Sequence, residues 1–378
     1  MSGKILTKWD LDTPALLIDI DLLQANIQTM ADYFRTVKAK LRPHVKTHKI
    51  PIIAHMQIEA GAIGVTCQKL GEAEVFAQAG IKGILLTNQI AGEQKIRRFI
   101  QLSRWADVTV GVDNLEVAQQ ISDAAVAAQV TAKVAVEIWM GRCGVAPGEP
   151  ALNFVKKLVQ LPGLKFMGLW EHLAGNVASG GNIAAEKSWA KRKEATVKDL
   201  ESFLESKHLI EQSGIPVEIF SGGYTATYDI TAEFPEITDV QAGSYVFMDW
   251  PYRELEGMER FQQAVSVLTT VISKPPHQPD VAYTDCGLKN ISVEHTADYG
   301  ATAFPKIKGE LGEQIQVIAV SEEHGWLKGA VNKLKVGDKI ELIPSHCCTT
   351  TSRYDEAYVV SGERVVGIWP VSARGRHS

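Results

Sequence analysis

Residues 64–113 read GVTCQKLGEAEVFAQAGIKGILLTNQIAGEQKIRRFIQLSRWADVTVGVD. Short runs rich in aliphatic and β-branched residues, at 61–68, 83–90 and 107–113, alternate here with two stretches whose apolar residues recur every three or four positions. The runs fit buried strands and the stretches fit amphipathic helices. The alternation continues outward in both directions. Further apolar runs fall at 41–48, 132–140, 164–172, 217–224 and 239–247, and LEVAQQISDAAVAAQ supplies another helix. The charged stretch 186–210, EKSWAKRKEATVKDLESFLESKHLI, predicts a long helix with a loop before it. Eight strands, each followed by a helix, predict an α/β fold built as a (β/α)8 TIM barrel. An open doubly wound sheet would normally have fewer strands.

From about residue 262 the pattern changes. AVSVLTTVIS, PDVAYTD, QIQVIAVS, DKIELIPS, EAYVVSG and RVVGIWPV are strand-like and are separated by short turns with Gly, Pro and Asp. They predict a C-terminal all-β, β-barrel-like domain. The expected boundaries are 21–255 for the barrel and 256–378 for the β-domain, with 1–20 as a candidate addition to the latter.

Composition excludes several classes of function. The formal charge of -5 over 378 residues gives no electrostatic footprint for nucleic acid. No run of about 18 apolar residues is present, so no membrane span is expected. The start of the chain, MSGKILTKWDLDTP, lacks the apolar core of a signal peptide, and the expected location is cytoplasmic. Five cysteines, at 67, 143, 286, 347 and 348, do not make a disulfide framework in a chain of this length.

In such barrels the chemistry sits at the carboxyl ends of the strands. Polar residues gather at those ends: His44, Lys46 and His48; Cys67 and Gln68; Thr87, Asn88 and Gln89; Asp113; Arg142; Glu171 and His172. On a strand, Arg42, His44, Lys46 and His48 would share one face. A desolvated lysine among cations has a lowered pKa and becomes a nucleophilic amine suited to Schiff-base chemistry. The bland alternative is a strand end whose basic tips reach solvent. Ser221-Gly222-Gly223-Tyr224-Thr225 follows an apolar strand, so its backbone N–H groups could close on a phosphate, and a hydroxyl could add a donor. A glycine pair in such a turn also occurs without any ligand. In the β-domain, His346 and Cys348 would point the same way on an extended strand and Cys347 the opposite way. Imidazole plus thiolate suits zinc and leaves open coordination positions. An inert cysteine pair beside a satisfied histidine fits the spacing equally well. His324, in EEHG, is a further candidate.

RPHVKTHK at 42–49 and GVTCQKLGEAEVFAQAGI at 64–81 resemble the D-threonine aldolase family, and more widely the D-serine dehydratase and D-3-hydroxyaspartate aldolase group of pyridoxal-phosphate enzymes. RCGV at 142–145, the glycine turn, GSYVFMD at 243–249, DCGLK at 285–289, EEHG, PSHCC and WPVSARG at 369–375 extend the resemblance in order along nearly the whole chain. It implies an alanine-racemase-type barrel with a C-terminal β-domain. Lys46 would hold pyridoxal 5'-phosphate, with His44 beside it. Arg142 would bond the cofactor ring. Ser221, Gly222, Gly223, Tyr224 and Thr225 would form the phosphate cradle. His346 and Cys348 would bind a divalent metal, zinc or manganese, and His172 or His324 would act as the base. The expected assembly is a homodimer.

The implied activity is a lyase cleaving D-3-hydroxy amino acids to glycine and an aldehyde. The alternative is a dehydratase yielding a 2-keto acid and ammonia. His346-x-Cys348 has the dehydratase form, since the aldolases carry His-x-Asp; CQKLGEAE and WPVSARG are aldolase-like. EIWMGRCGV, GLWEHLAGN and Tyr224 depart from the family pattern. A non-catalytic cofactor carrier and an amino-acid racemase are remoter alternatives. The β-domain and its HCC motif speak against the carrier, and a racemase would need no metal.

Overall fold

The computed structural model describes residues 6–172, 186–293 and 303–378. The chain divides into two compact units. One comprises Met30–Lys46, Pro51–Gly243 and Gly375–Ser378; the other comprises Met1–Thr29, Thr47–Ile50 and Ser244–Arg374.

The first strand, β1 (Ala15–Asp19), belongs to the second unit. The next eight build the barrel: β2 (Lys40–Leu41), β3 (Val65–Cys67), β4 (Ile84–Gln89), β5 (Val108–Val112), β6 (Ala132–Glu137), β7 (Leu164–Trp170), β8 (Ile219–Gly222) and β9 (Asp239–Val240). They form one parallel sheet in the order β2-β9-β8-β7-β6-β5-β4-β3. Between β2 and β3 the circle is completed by an isolated bridge, His44 with Thr66, and by hydrogen bonds from Ile63 N–H to Leu41 and Thr66 N–H to Pro43. The long charged helix spans Trp189–Gln212. The loop expected before it lies mostly outside the described residues.

The observed strands are shorter than the apolar runs; β6 stops at Glu137 and β9 at Val240. The run 41–48 differs most. Only Lys40–Leu41 is strand, and Val45–Thr47 is a 3-10 turn. Pro43 has no N–H to continue the ladder. Arg42, His44, Lys46 and His48 therefore do not form one row on a strand face. Arg42 instead pairs with buried Asp239 at 2.9 Å and also donates to the Gly83 carbonyl.

Inside the barrel, Trp170 packs with Leu85 and Ala135, flanked by Ile219. A Cβ at position 111 would lie 2.9 Å from the Trp170 ring, so Gly111 is required by space rather than by backbone conformation.

The β-unit contains β10 (Val265–Ser273), β11 (Val281–Thr284), β12 (Lys306–Ile307), β13 (Ile315–Val320), β14 (Gly325–Gly329), β15 (Lys339–Ile343), β16 (Glu356–Ser361) and β17 (Arg364–Pro370). Each of the six runs expected after residue 262 contains a strand. Their order is β13-β14-β11-β10-β1-β16-β17, with β15 pairing β10 and β12. The amino-terminal segment is built in: β1 runs antiparallel to β10 and parallel to β16, and buries Ala15 and Leu17 with Leu11, Leu268 and Val360. Strand β14 was not legible beforehand, because glycines close both of its ends. Among the described residues, no helix is long and apolar enough to cross a membrane.

Candidate active site

Lys46 sits in the 3-10 turn after β2 and is half-buried. The preceding His44 places its Nε2 3.2 Å from the Gln68 amide oxygen. His172 follows β7 in the same unit. Burial, then the charges of Lys46 and Arg142, push its pKa down to about 3. At neutral pH it is an uncharged imidazole.

The glycine turn closes β8. Gly223 has φ +71, a conformation that disfavours other residues, and a Cβ there would crowd Thr231 Oγ1 at 2.7 Å. A Cβ on Gly222 would collide with the Glu171 carboxylate. The Gly223 N–H donates to Glu171 Oε1 at 2.9 Å. A carboxylate oxygen thus occupies the anion position that a phosphate oxygen would take, and the turn fits a phosphate provided Glu171 yields. The Tyr224 N–H points to Thr227 Oγ1 at 3.3 Å, and Thr225 is buried. The Ser221 hydroxyl donates to Asp239 Oδ1 at 2.6 Å and accepts from Gln241 Nε2 at 3.1 Å.

Arg142 is half-exposed and lies 3.4 Å from Glu137 Oε1. Glu137 is buried on β6, and burial outweighs the lowering effect of Gln89 and Arg142, so its carboxyl is pushed up. Gln89 donates both to Glu137 and to Asp113 Oδ2, which also accepts from Gly144 N–H at 3.1 Å. Sequence reasoning had missed Glu137; an acid in the middle of the run AKVAVEIWM was the available signal.

In the β-unit, His346 precedes a short helix, Cys347–Thr351. The expected extended strand through Cys348 is therefore replaced by a helical turn. The turn brings one ligand atom each from His346, Cys347 and Cys348 within 4.8 Å of one another. Asp249, missed by the sequence reading although it ends GSYVFMD, joins them: its Oδ2 lies 2.9 Å from His346 Nδ1. Burial, then Cys348 and Asp249, push the Cys347 thiol well above its ordinary pKa, and Cys347 Sγ donates to Asp249 Oδ2 at 3.2 Å. His346 and Cys348 are left as the soft donors, which fits zinc. Cys348 Sγ also lies 3.4 Å from the hydroxyl of Thr47, the residue after Lys46 in the chain. His324 is in an exposed turn, with its carbonyl accepting from Ser321 N–H at 2.8 Å.

Residues 18–251 match the alanine racemase N-terminal domain family, and residues 264–360 match the serine dehydratase domain family. The chain belongs to the alanine racemase N-terminal domain family of fold type III pyridoxal-phosphate enzymes, on its lyase branch. It is 35% identical to the D-threonine aldolase of Arthrobacter sp over 96% of this chain and 93% of that protein. It is 33% identical to the 3-hydroxy-D-aspartate aldolase of Paracoccus denitrificans (strain Pd 1222), over 97% and 93%. The crystal structure of D-threonine aldolase from Filomicrobium marinum superposes with a TM-score of 0.90 at 32% identity, covering 99% of this chain and 98% of that one. The D-threo-3-hydroxyaspartate dehydratase from Delftia sp. HT23 is similar at 27% identity and a TM-score of 0.84, covering 96% and 98%. A cysteine-to-alanine variant of a D-threo-3-hydroxyaspartate dehydratase is described as the metal-free form.

Proposed function

We propose that this protein is a pyridoxal-phosphate- and divalent-metal-dependent aldolase that cleaves D-3-hydroxy amino acids to glycine and an aldehyde, and that it works as a homodimer. The observation that carries the proposal is the match to two aldolases over nearly the full length of the chain, with Lys46, the glycine turn and His172 in one compact unit. Bound pyridoxal phosphate supplies an electron sink for the carbanion left at Cα, and a bound zinc or manganese ion supplies a Lewis acid for the β-oxygen.

The chain's own residues do the rest. Lys46 holds the cofactor through its amine, next to His44. Backbone N–H groups of Gly222, Gly223 and Tyr224, with the Thr225 hydroxyl, take the phosphate. Ser221 supports that turn from behind through Asp239. Arg142 bonds the ring and is held by Glu137. His346 and Cys348 bind the ion. His172 Nδ1 or Nε2 accepts the β-hydroxyl proton as the Cα–Cβ bond of the substrate breaks. His324 has no part in this scheme.

Dehydration is the second reading, favoured by the His346-x-Cys348 pair and by the likeness to a D-threo-3-hydroxyaspartate dehydratase. In that case Lys46 takes the α-proton and the β-hydroxyl leaves.

The test is product analysis by proton NMR, with pyridoxal phosphate, zinc or manganese, and D-threonine. Glycine plus acetaldehyde is the expected result. 2-Oxobutanoate plus ammonia would overturn the aldolase reading in favour of dehydration. Lys46→Ala should abolish the absorbance of the lysine-bound cofactor and the turnover together, whereas chelation should stop turnover and leave that absorbance.

A further inference from the structure

We infer that Asp249 is the positioning residue of the metal centre: its carboxylate holds the His346 ring through Nδ1–H, so that Nε2 alone is offered to the ion beside Cys348. The inference rests on the metal reading above.

Three contacts converge on one oxygen. Asp249 Oδ2 lies 2.9 Å from His346 Nδ1, 3.0 Å from the Cys347 N–H and 3.2 Å from Cys347 Sγ. Asp249 is fully buried. Its other oxygen, Oδ1, is buried without a hydrogen-bond partner among the described residues. A buried carboxylate is costly unless its charge is answered. A cation on the far side of the imidazole answers it through the ring, in the carboxylate–histidine–metal arrangement that fixes tautomer and ring orientation.

The backbone beside this contact is in an uncommon conformation. Met248, immediately before Asp249, has φ +51, which L side chains rarely adopt. On the other side, His346 is pinned by its backbone: its N–H donates to Ser292 Oγ at 3.2 Å, and its carbonyl accepts from the Ser292 and Thr350 hydroxyls at 2.8 and 2.9 Å. With the main chain fixed and Nδ1 held by Asp249, the ring has only Nε2 left to offer an ion beside Cys348. Cys347 then acts as a donor to Asp249, and not as a ligand.

The experiment measures zinc affinity of the pyridoxal-phosphate-loaded protein by competition with a chromophoric chelator. Asp249→Asn should weaken zinc binding about 10- to 100-fold, the usual effect of losing such a partner, while the absorbance of lysine-bound cofactor stays unchanged. Cys347→Ala should bind zinc within a few-fold of the wild type. Should Asp249→Asn fail to fold, wild-type protein labelled with 15N-histidine and loaded with 113Cd gives an independent answer. Cadmium coupling is expected at Nε2 of His346, with Nδ1 protonated. Undiminished zinc affinity in Asp249→Asn, or coupling at Nδ1, would overturn the inference and leave the metal reading standing. Wild-type protein that takes up neither zinc nor cadmium would overturn both.

Discussion

Glu171 Oε1 accepts a hydrogen bond from the Gly223 N–H at 2.9 Å, in the turn whose N–H groups are proposed to receive the phosphate. A bound phosphate would compete with the buried carboxylate for that donor. Charge-assisted hydrogen bonds of this kind are about twice as strong as neutral ones. Glu171→Gln should therefore tighten binding of pyridoxal phosphate to the cofactor-free protein by about 3- to 10-fold, since a neutral amide gives up the site more readily than an anion. Absorbance titration reads this directly, and weaker binding in the variant would show that Glu171 supports the cradle instead of contesting it.

His172 predicts an unusual pH profile. With its pKa pushed down to about 3, it stays neutral throughout the working range, so no acid limb near 6.5 in kcat/KM comes from this residue. Its removal, as His172→Asn, should lower kcat by about 10²- to 10⁴-fold, the range for a lost general base.

The same residue shapes acid stability. Between 6.5 and about 3 the unfolded chain binds a proton at His172 and the folded chain does not. Stability therefore falls as the pH drops through that window. Urea midpoints measured from pH 7 to pH 4 should decline less steeply in His172→Asn than in the wild type. Identical slopes would place the acid sensitivity elsewhere.

Arg42 and Asp239 form a buried ion pair at 2.9 Å, and Asp239 also accepts from the Ser221 and Thr238 hydroxyls. Replacing the cation leaves the carboxylate charged and unanswered. Arg42→Met should cost about 3–5 kcal/mol, as broken buried pairs do, measured by urea unfolding. A loss below about 1 kcal/mol, the scale of an exposed pair, would mean that solvent reaches Asp239.

Gly111 faces Trp170 across the barrel interior. Gly111→Ala places a methyl group 2.9 Å from the indole and should destabilise by about 1–3 kcal/mol, the usual cost of overpacking. Thermal unfolding checks this, and an unchanged midpoint would mean that the Trp170 ring shifts to make room at little cost.

The sequence by itself determined the order of the elements. Short apolar runs and spacing three to four apart are local properties, and they alternate through the barrel before giving way to strands alone. Lys46, the glycine turn and the HCC segment were legible for the same reason, as short chemical patterns within one stretch of chain. What the sequence could not determine was which distant residues complete each pattern. The expected cationic row fails because Pro43 breaks the ladder and Asp239, nearly two hundred positions away, takes Arg42. Ser221 turns to the same Asp239, and Glu171 reaches the Gly223 N–H across 52 positions. Asp249 meets His346 and Cys347 only after β-unit folding brings together residues some hundred positions apart. Burial is the physical reason. A polar group removed from water must find its partner wherever the fold supplies one, and that choice belongs to tertiary structure.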